Sequence, residues 1–401
     1  MTDRSAAQAV TLAALEADPH PVLARLRAAA PVSWVPALGA WLVTGYDEAV
    51  QVMRDARRFT VDDPRFSTAK VVGPSMLSLD GARHAHHRGP FTRPFRSDEI
   101  RARLAGFIQA QAGRLTAAVE PCGHAELRRA IAGPLAAAVM AETLGLGPAD
   151  PARILRWYDG IVAAVQAEAA AGESGLAAGS AGRAAFADLA GHLHEVIAAR
   201  RASSLLAEVT RAGHGPAGPA RSGPLTEAEA ISNAAVLMFG GIETTEGMIA
   251  NGLLHLLSHP SQLELIRSDH ELIPAAIEES LRLEPAAAVV DRYATVDAEL
   301  AGAPIRAGDQ VTVSITAANR DPAVFEAPDA FEVRRANAAR HLAFAHGPHF
   351  CIGAHLARLE TQVVIGVLVQ RLPRLRLDPR HPSAPRGLVF RKPPGLYARW
   401  D

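Results

Sequence analysis

Along most of the chain, apolar residues recur at helical spacing, and short stretches switch to strand-like alternation. Residues 32–53, "VSWVPALGAWLVTGYDEAVQVM", read as two short strands around a Pro/Gly turn, then a helix from near Asp47. Residues 62–80 read as a loop broken by proline and glycine. Residues 169–184, "AAAGESGLAAGSAGRA", interrupt two helical stretches, and the Gly/Pro-rich run 211–225 is a surface loop. A long helix follows. Thr226 and Glu229 have capping-box spacing, and nothing breaks the pattern before Ser258, His259 and Pro260. That gives roughly 31 residues, or about 46 Å at about 1.5 Å per residue. Its middle, "AAVLMFGGIETTEGMIA", is apolar on every side except around Glu243, as in a buried helix. Such a helix predicts one domain over 1–401, with 1–17 as a loosely ordered lead-in.

A further helix runs from Pro274, which suits a first turn, to Pro285, which ends it. Residues 310–315, "QVTVSI", alternate as a strand. After Gly353, Leu356, Leu359, Val363, Val364, Val367 and Leu368 recur at helical spacing. The predicted class is mainly α with small β-sheets.

Charge and composition remove several functions. With 41 basic and 42 acidic residues and a net charge of −1, nothing attracts nucleic acid or anionic membrane in general. Two cysteines, Cys122 and Cys351, cannot build a disulfide framework, so a reducing cytoplasm is expected. The N-terminus lacks a signal-peptide layout, and no apolar run reaches the roughly 18 residues of a spanning helix.

Chemistry concentrates in three places. Cys351 lies in Phe344-x-x-Gly347-x-x-x-Cys351-x-Gly353, just before a helix start. Free backbone N–H groups and the positive dipole end favour thiolate there, a soft ligand suited to iron or zinc. His341, His346, His349 and His355 surround it, but their spacing fits no common structural zinc pattern. A buried, inert cysteine beside surface histidines is the bland reading. In "FGGIETT", Gly240 and Gly241 each cost roughly 1 kcal/mol relative to alanine and let something approach the backbone. Glu243, Thr244 and Thr245 beside them are costly in an apolar helix unless used or paired. A ligand pocket with a proton-delivery pair and a helix crossing with a buried salt bridge both satisfy this pattern. Glu279 and Arg282 put opposite charges on one helix face, which is weak by itself.

Together the signature around Cys351, the Glu-x-x-Arg pair, the Gly-Gly-x-Glu-Thr-Thr centre and the downstream "AANRDPAVFEAPDAF" resemble, in order, the cytochrome P-450 superfamily of haem-thiolate monooxygenases. The resemblance runs from about Asp18 to the C-terminus and is to the soluble bacterial type. It implies a triangular-prism-like domain with a long central helix over haem b (iron protoporphyrin IX). Cys351 would be the axial thiolate, favouring O–O cleavage. Phe344 would pack on the proximal side, while Gly347 and Gly353 bring the loop close to the sulfur. Glu243 and Thr244 correspond to the acid–alcohol pair that helps deliver protons to dioxygen. Glu279 and Arg282 match the structural motif, completed by Arg335 in preference to Arg334. His84, Arg88, Arg292 and His349 match propionate contacts. His86 and His87 are expected to be exposed, and His341, His346 and His355 have no assigned role. The family usually has glycine at Ala345; alanine there implies an ordinary loop conformation.

Substrate walls are expected from 62–80, 155–195, Val236, Phe239, Gly240, 287–290 (with Ala288 and Val289) and the turn at Val389 and Phe390. Residues 169–184 would form a lid. These mostly small or apolar positions imply a largely hydrophobic substrate. The resemblance implies hydroxylation or epoxidation with O2 of a lipophilic small molecule, expected to be a bacterial secondary metabolite. No flavin or iron–sulfur motif is present, so a separate ferredoxin and its reductase are implied, docking near Arg93, Arg96, His355 and Arg358. A cytoplasmic monomer is expected. Oxidative aromatic coupling on the same scaffold is the alternative reaction. A haem-based gas sensor is the alternative class, and Glu243 with Thr244 argues against it.

Overall fold

The structure is a computed structural model that describes residues 3–147, 151–170, 173–199, 204–211 and 223–401. Its contacts divide the chain into two compact units. One comprises Met1–Thr60, Ala112–Ala132 and Thr244–Asp401; the other comprises Val61–Gln111 and Gly133–Glu243.

The first unit holds the β structure. Its main sheet has five strands among the described residues, in the order Val32–Val35, Ala40–Val43, Gln310–Ser314, Val289–Ala294 and Phe59–Thr60. The Ala40–Val43 and Gln310–Ser314 strands run parallel, and the neighbouring pairs are antiparallel. The register sets Arg292 opposite Val311. Val52 and Met53 of the Tyr46–Arg54 helix pack with Phe59, Val311, Val313 and Leu342 in one buried core. Leu342 leads into the cysteine segment, so this core anchors the loop from below.

Two buried charges brace the chain behind that loop. Glu279 and Arg282 on the Ile273–Leu283 helix are fully buried, and two hydrogen bonds of 2.7 and 2.8 Å join them. Arg335 completes the cluster, its Nε donating to Glu279 at 2.9 and 3.1 Å. Arg282 also donates to the carbonyls of Asn319, Pro328 and Ala330, and Arg335 to those of Glu326, Ala327 and Ala330. Two guanidiniums thus satisfy the carbonyls of a stretch with little regular structure, which burial would otherwise penalise.

The second unit is helical. The long helix, Glu227–Ser258, begins in it with the expected capping box: Thr226 N donates to Glu229 at 2.8 Å, and Glu229 N to Thr226 Oγ1 at 3.3 Å. At about 48 Å it continues into the first unit from Thr244. Helices Pro151–Ala170 and Glu173–Ala198 cross closely, because a Cβ on Gly182 would lie 2.1 Å from Ala164 Cβ and 2.6 Å from Gly160 O.

Four expectations change. Residues 62–80 contain a helix, Ser67–Val72. Residues 169–184 do separate two helices, Pro151–Ala170 and Glu173–Ala198, with 171–172 outside the described residues. The backbone from Glu173 onward is nevertheless already helical, as its alanines favour, and Gly182 serves the close crossing. Residues 3–17 form two helices, Asp3–Gln8 and Leu12–Ala17, that bury Ala7, Val10 and Leu15. His87 is buried, at 5 % exposure, because Asn233 Nδ2 meets its Nδ1 at 2.9 Å and Glu229 approaches its Nε2. Most of the loop read at 211–225 lies outside the described residues. Among the described residues, no helix is long and apolar enough to cross a membrane.

Candidate functional site

The cysteine sits in a loop stiffened by backbone hydrogen bonds. Ala345 N donates to Leu342 O at 2.8 Å, Phe350 N to Gly347 O at 3.0 Å, and Cys351 N to Phe344 O at 2.8 Å. Cys351 is exposed and precedes the Ala354–Arg371 helix, capped at Gly353. Gly353 lies within ordinary contact of the sulfur, since its Cβ would meet Cys351 Sγ at 3.9 Å. Gly347 serves a different neighbour. Its φ is +74°, and a Cβ there would fall 2.6 Å from the carbonyl oxygen of Met53. It lets the loop seat on the Tyr46–Arg54 helix, not on the sulfur. Ala345 overturns the expected ordinary conformation, with φ of +57°. The loop's hydrogen bonds impose the left-handed shape that an L side chain resists.

The histidines around the thiol divide by partner. His341 is buried and its Nε2 lies 3.1 Å from Glu278 Oε2, while its Nδ1 accepts from Ala343 N. His346 Nε2 accepts from Arg54 Nε at 2.7 Å. His349 is half-buried in the turn Gly347–His349, and His355 is exposed. Among the described residues, no three or more His, Cys, Asp or Glu side chains are arranged to hold a metal ion.

Arg358, expected near the docking surface, is half-buried and tied inward. It grips Glu278 through two hydrogen bonds of 2.6 and 2.8 Å and lies over the Phe344 ring. Burial raises the carboxyl of Glu278, but hydrogen bonds from Arg358 and His341 outweigh that and hold it at about 2. The Glu278–Arg358–His341 cluster fixes Phe344, which faces Phe350 at 6.4 Å between ring centres.

In the same unit, Arg292 is 4 % exposed on its strand and donates to Asp291 O. Ala288 is buried, Val289 half-buried and Val389 exposed; Ala288 N donates to Val389 O at 2.8 Å. In the second unit, His84 is buried on the Gly81–Thr92 helix, with Arg88 one turn on. Val236 and Phe239 are buried on the long helix. Gly241 is the close approach there, as its Cβ would fall 2.3 Å from Met140 Sδ; Gly240 has open space around it. Glu243 is buried and Thr244 half-buried, adjacent on that helix.

The donor set suits an iron porphyrin: one exposed thiol beside a helix N-terminus, in a loop that also carries the Phe344 and Phe350 rings, with a buried Arg292 in the same unit of the kind that holds a propionate. The family model for cytochrome P-450 matches residues 205–398. The cytochrome P-450 monooxygenase PikC of Streptomyces venezuelae is 36 % identical over 90 % of this chain and 86 % of its own. The chain belongs to the cytochrome P-450 superfamily.

The 20-oxo-5-O-mycaminosyltylactone 23-monooxygenase of Streptomyces fradiae is 32 % identical over 91 % of this chain and 82 % of its own. The solved structure of P450BioI with hexadec-9Z-enoic acid ligated acyl carrier protein superposes with a TM-score of 0.85, at 29 % identity, over 97 % of this chain and 100 % of that one. This P-450 is of the bacterial type, is a monooxygenase, and carries haem with an axial cysteine thiolate.

The P-450 also holds buried ionisable residues outside those motifs. Glu246, one turn beyond Glu243, is 2 % exposed and is met by Lys392 Nζ at 2.5 Å and Arg128 at 3.5 Å. A second acid in "ETTEG" was the available signal. The Glu278 cluster had none, because its three members lie up to 80 residues apart.

Proposed function

We propose that this P-450 inserts one oxygen atom from O2 into a lipophilic secondary metabolite, using the whole chain, 1–401, as one catalytic domain. The observation that carries the reading is Cys351, exposed and held in a hydrogen-bonded loop at a helix start. Cys351 would hold the haem iron, and its thiolate would supply electron density to it. When bound, the haem supplies the activation of dioxygen. Phe344, fixed by Arg358, would pack on the thiolate side of the haem, and His84, Arg88, Arg292 and His349 are the side chains that would hold the propionates. Thr244 and Glu243 hold and pass protons to dioxygen, so that reduction is coupled to product formation. Val236, Phe239, Gly240, Ala288, Val289 and Val389 form the substrate wall. An exposed valine at 389 supports an apolar ligand, and the 20-oxo-5-O-mycaminosyltylactone named for the S. fradiae relative supports an organic small molecule as substrate. Electrons come from a separate ferredoxin and its reductase, docking near the exposed His355, Arg93 and Arg96.

The deciding test is the spectrum of the reduced protein with carbon monoxide. A strongly red-shifted Soret band should vanish in Cys351→Ala and persist in His349→Ala and Cys122→Ser. Persistence in Cys351→Ala would overturn the ligand assignment. Thr244→Ala should spend reducing equivalents without matching product; normal coupling would remove the relay role.

A further inference from the structure

Glu284 closes the Ile273–Leu283 helix at 4 % exposure, where a carboxylate must find partners. His20 Nε2 lies 2.8 Å from its Oε2, and Arg391 Nε donates to its Oε1 at 2.8 Å. Arg391, itself 2 % exposed, has further work. It donates to Glu16 O at 3.0 Å, Gly387 O at 2.9 Å and Pro385 O at 3.0 Å, while its backbone N reaches Ala286 O. One guanidinium therefore ties a turn to itself, to the N-terminal helices and to the end of another helix. Asn251 of the long helix locks the same junction, its Nδ2 donating to Glu284 O at 3.1 Å and Arg391 O at 3.0 Å.

The turn admits little slack. Gly387 has φ of +119°, and a Cβ on it would lie 1.9 Å from Phe390 O. Its N donates to Glu16 O. Leu388 packs on the cluster of Ala7, Val10, Leu15 and Leu23. Leu388 thus faces the N-terminal helices, whereas Val389 is exposed and pairs through its carbonyl with Ala288.

We propose that Arg391 is a positioning residue for the substrate-facing turn 387–390, and that His20 and the N-terminal helices, through Glu284 and the Glu16 carbonyl, are the frame that fixes it. Substrate selection then depends on residues more than 350 positions away in sequence, as the His20, Glu16 and Arg391 numbering shows. The proposal rests on the reading that Val389 and Ala288 line the substrate chamber.

The test uses holoenzyme and two readouts: dissociation constants for a panel of lipophilic compounds, read by spin-state shift, and hydrogen exchange of the 385–392 peptide. Val389→Trp examines the wall reading alone. Arg391→Gln and His20→Gln examine the frame, and Arg391→Lys keeps the charge. Arg391→Gln should weaken binding of the bulkier compounds about tenfold, the loss expected of one charged hydrogen bond, and His20→Gln about threefold. Both should speed exchange in 385–392 while the red-shifted carbon monoxide band stays; Arg391→Lys should recover part of each change. If Arg391→Gln fails to fold, His20→Gln carries the test, since that side chain is 20 % exposed. Altered panel binding in Val389→Trp, with binding and exchange unchanged in His20→Gln and Arg391→Lys, overturns the positioning role. Unchanged binding in Val389→Trp overturns the wall reading instead, and any faster exchange in the frame variants then reports the anchoring separately from it.

Discussion

Arg358 holds both carboxylate oxygens of Glu278 while its guanidinium carbon lies 4.5 Å from the centre of the Phe344 ring. A lysine offers a point charge and no planar fork, so it cannot make the two-point bond and stack together. Arg358→Lys should therefore behave more like Arg358→Ala than like the native protein. Each should cost about 1–2 kcal/mol in stability, since the pair is only partly exposed. Thermal unfolding and retention of the thiolate Soret band measure this; native values in Arg358→Ala would show that Phe344 is fixed by other means.

Acid should loosen the fold through two named carboxylates. Burial raises Glu278 and Glu284, yet hydrogen bonds and neighbouring cations hold each at about 2, below the ordinary 4.5. A depressed folded value stabilises the fold above about 4.5, and that contribution disappears as pH falls toward about 2. Each carries at most roughly 3 kcal/mol. Denaturant midpoints should drop between about pH 5 and about pH 3, and Glu278→Gln with Glu284→Gln should flatten that slope. An equally steep acid limb in the double variant would assign the loss to other groups.

Glu360 works in the opposite sense. It is 1 % exposed, its Oε2 has no hydrogen-bond partner among the described residues, and burial raises its carboxyl well above the usual value. A raised acid favours the fold while protonated, and stability falls as pH rises above about 4.5. Glu360→Gln should gain about 1–2 kcal/mol at alkaline pH and almost nothing in mild acid. A gain independent of pH would contradict a protonated Glu360.

At Ala345, the left-handed backbone predicts that Ala345→Gly stabilises the folded protein. Relief of about 1–2 kcal/mol of strain is offset by about 0.5–1 kcal/mol of added chain entropy. The net gain expected in equilibrium unfolding is therefore up to about 1 kcal/mol. A loss of stability would show that the methyl group's contacts outweigh the strain.

The helices and their caps were legible because periodicity and capping are local: Thr226 with Glu229 needed only four residues of context. The cysteine loop was legible because its signature is contiguous. The conformation of Ala345 was not, because hydrogen bonds closed by Leu342 and Phe344 overrule the intrinsic preference of alanine. Nor was the reach of Arg358, Arg391 and His87, whose partners are brought close only by tertiary packing. Arg358 and His87, read as surface features from sequence, become internal ties once a distant acid or amide lies beside them. Glycines misled in the same way: Gly347 and Gly241 do mark close approaches, but to Met53 and Met140.

The contact at Gly241 also sets a vulnerability. Met140 is 2 % exposed, and its sulfur occupies the space a side chain at 241 would need. Conversion of that thioether to a sulfoxide adds a polar oxygen where there is no room for one. Peroxide released by wasted reduction cycles would, on reaching this sulfur, push the helices apart at the Gly241–Met140 contact. A leaky enzyme of this build carries its own fuse, and Met140→Leu is the substitution that removes it.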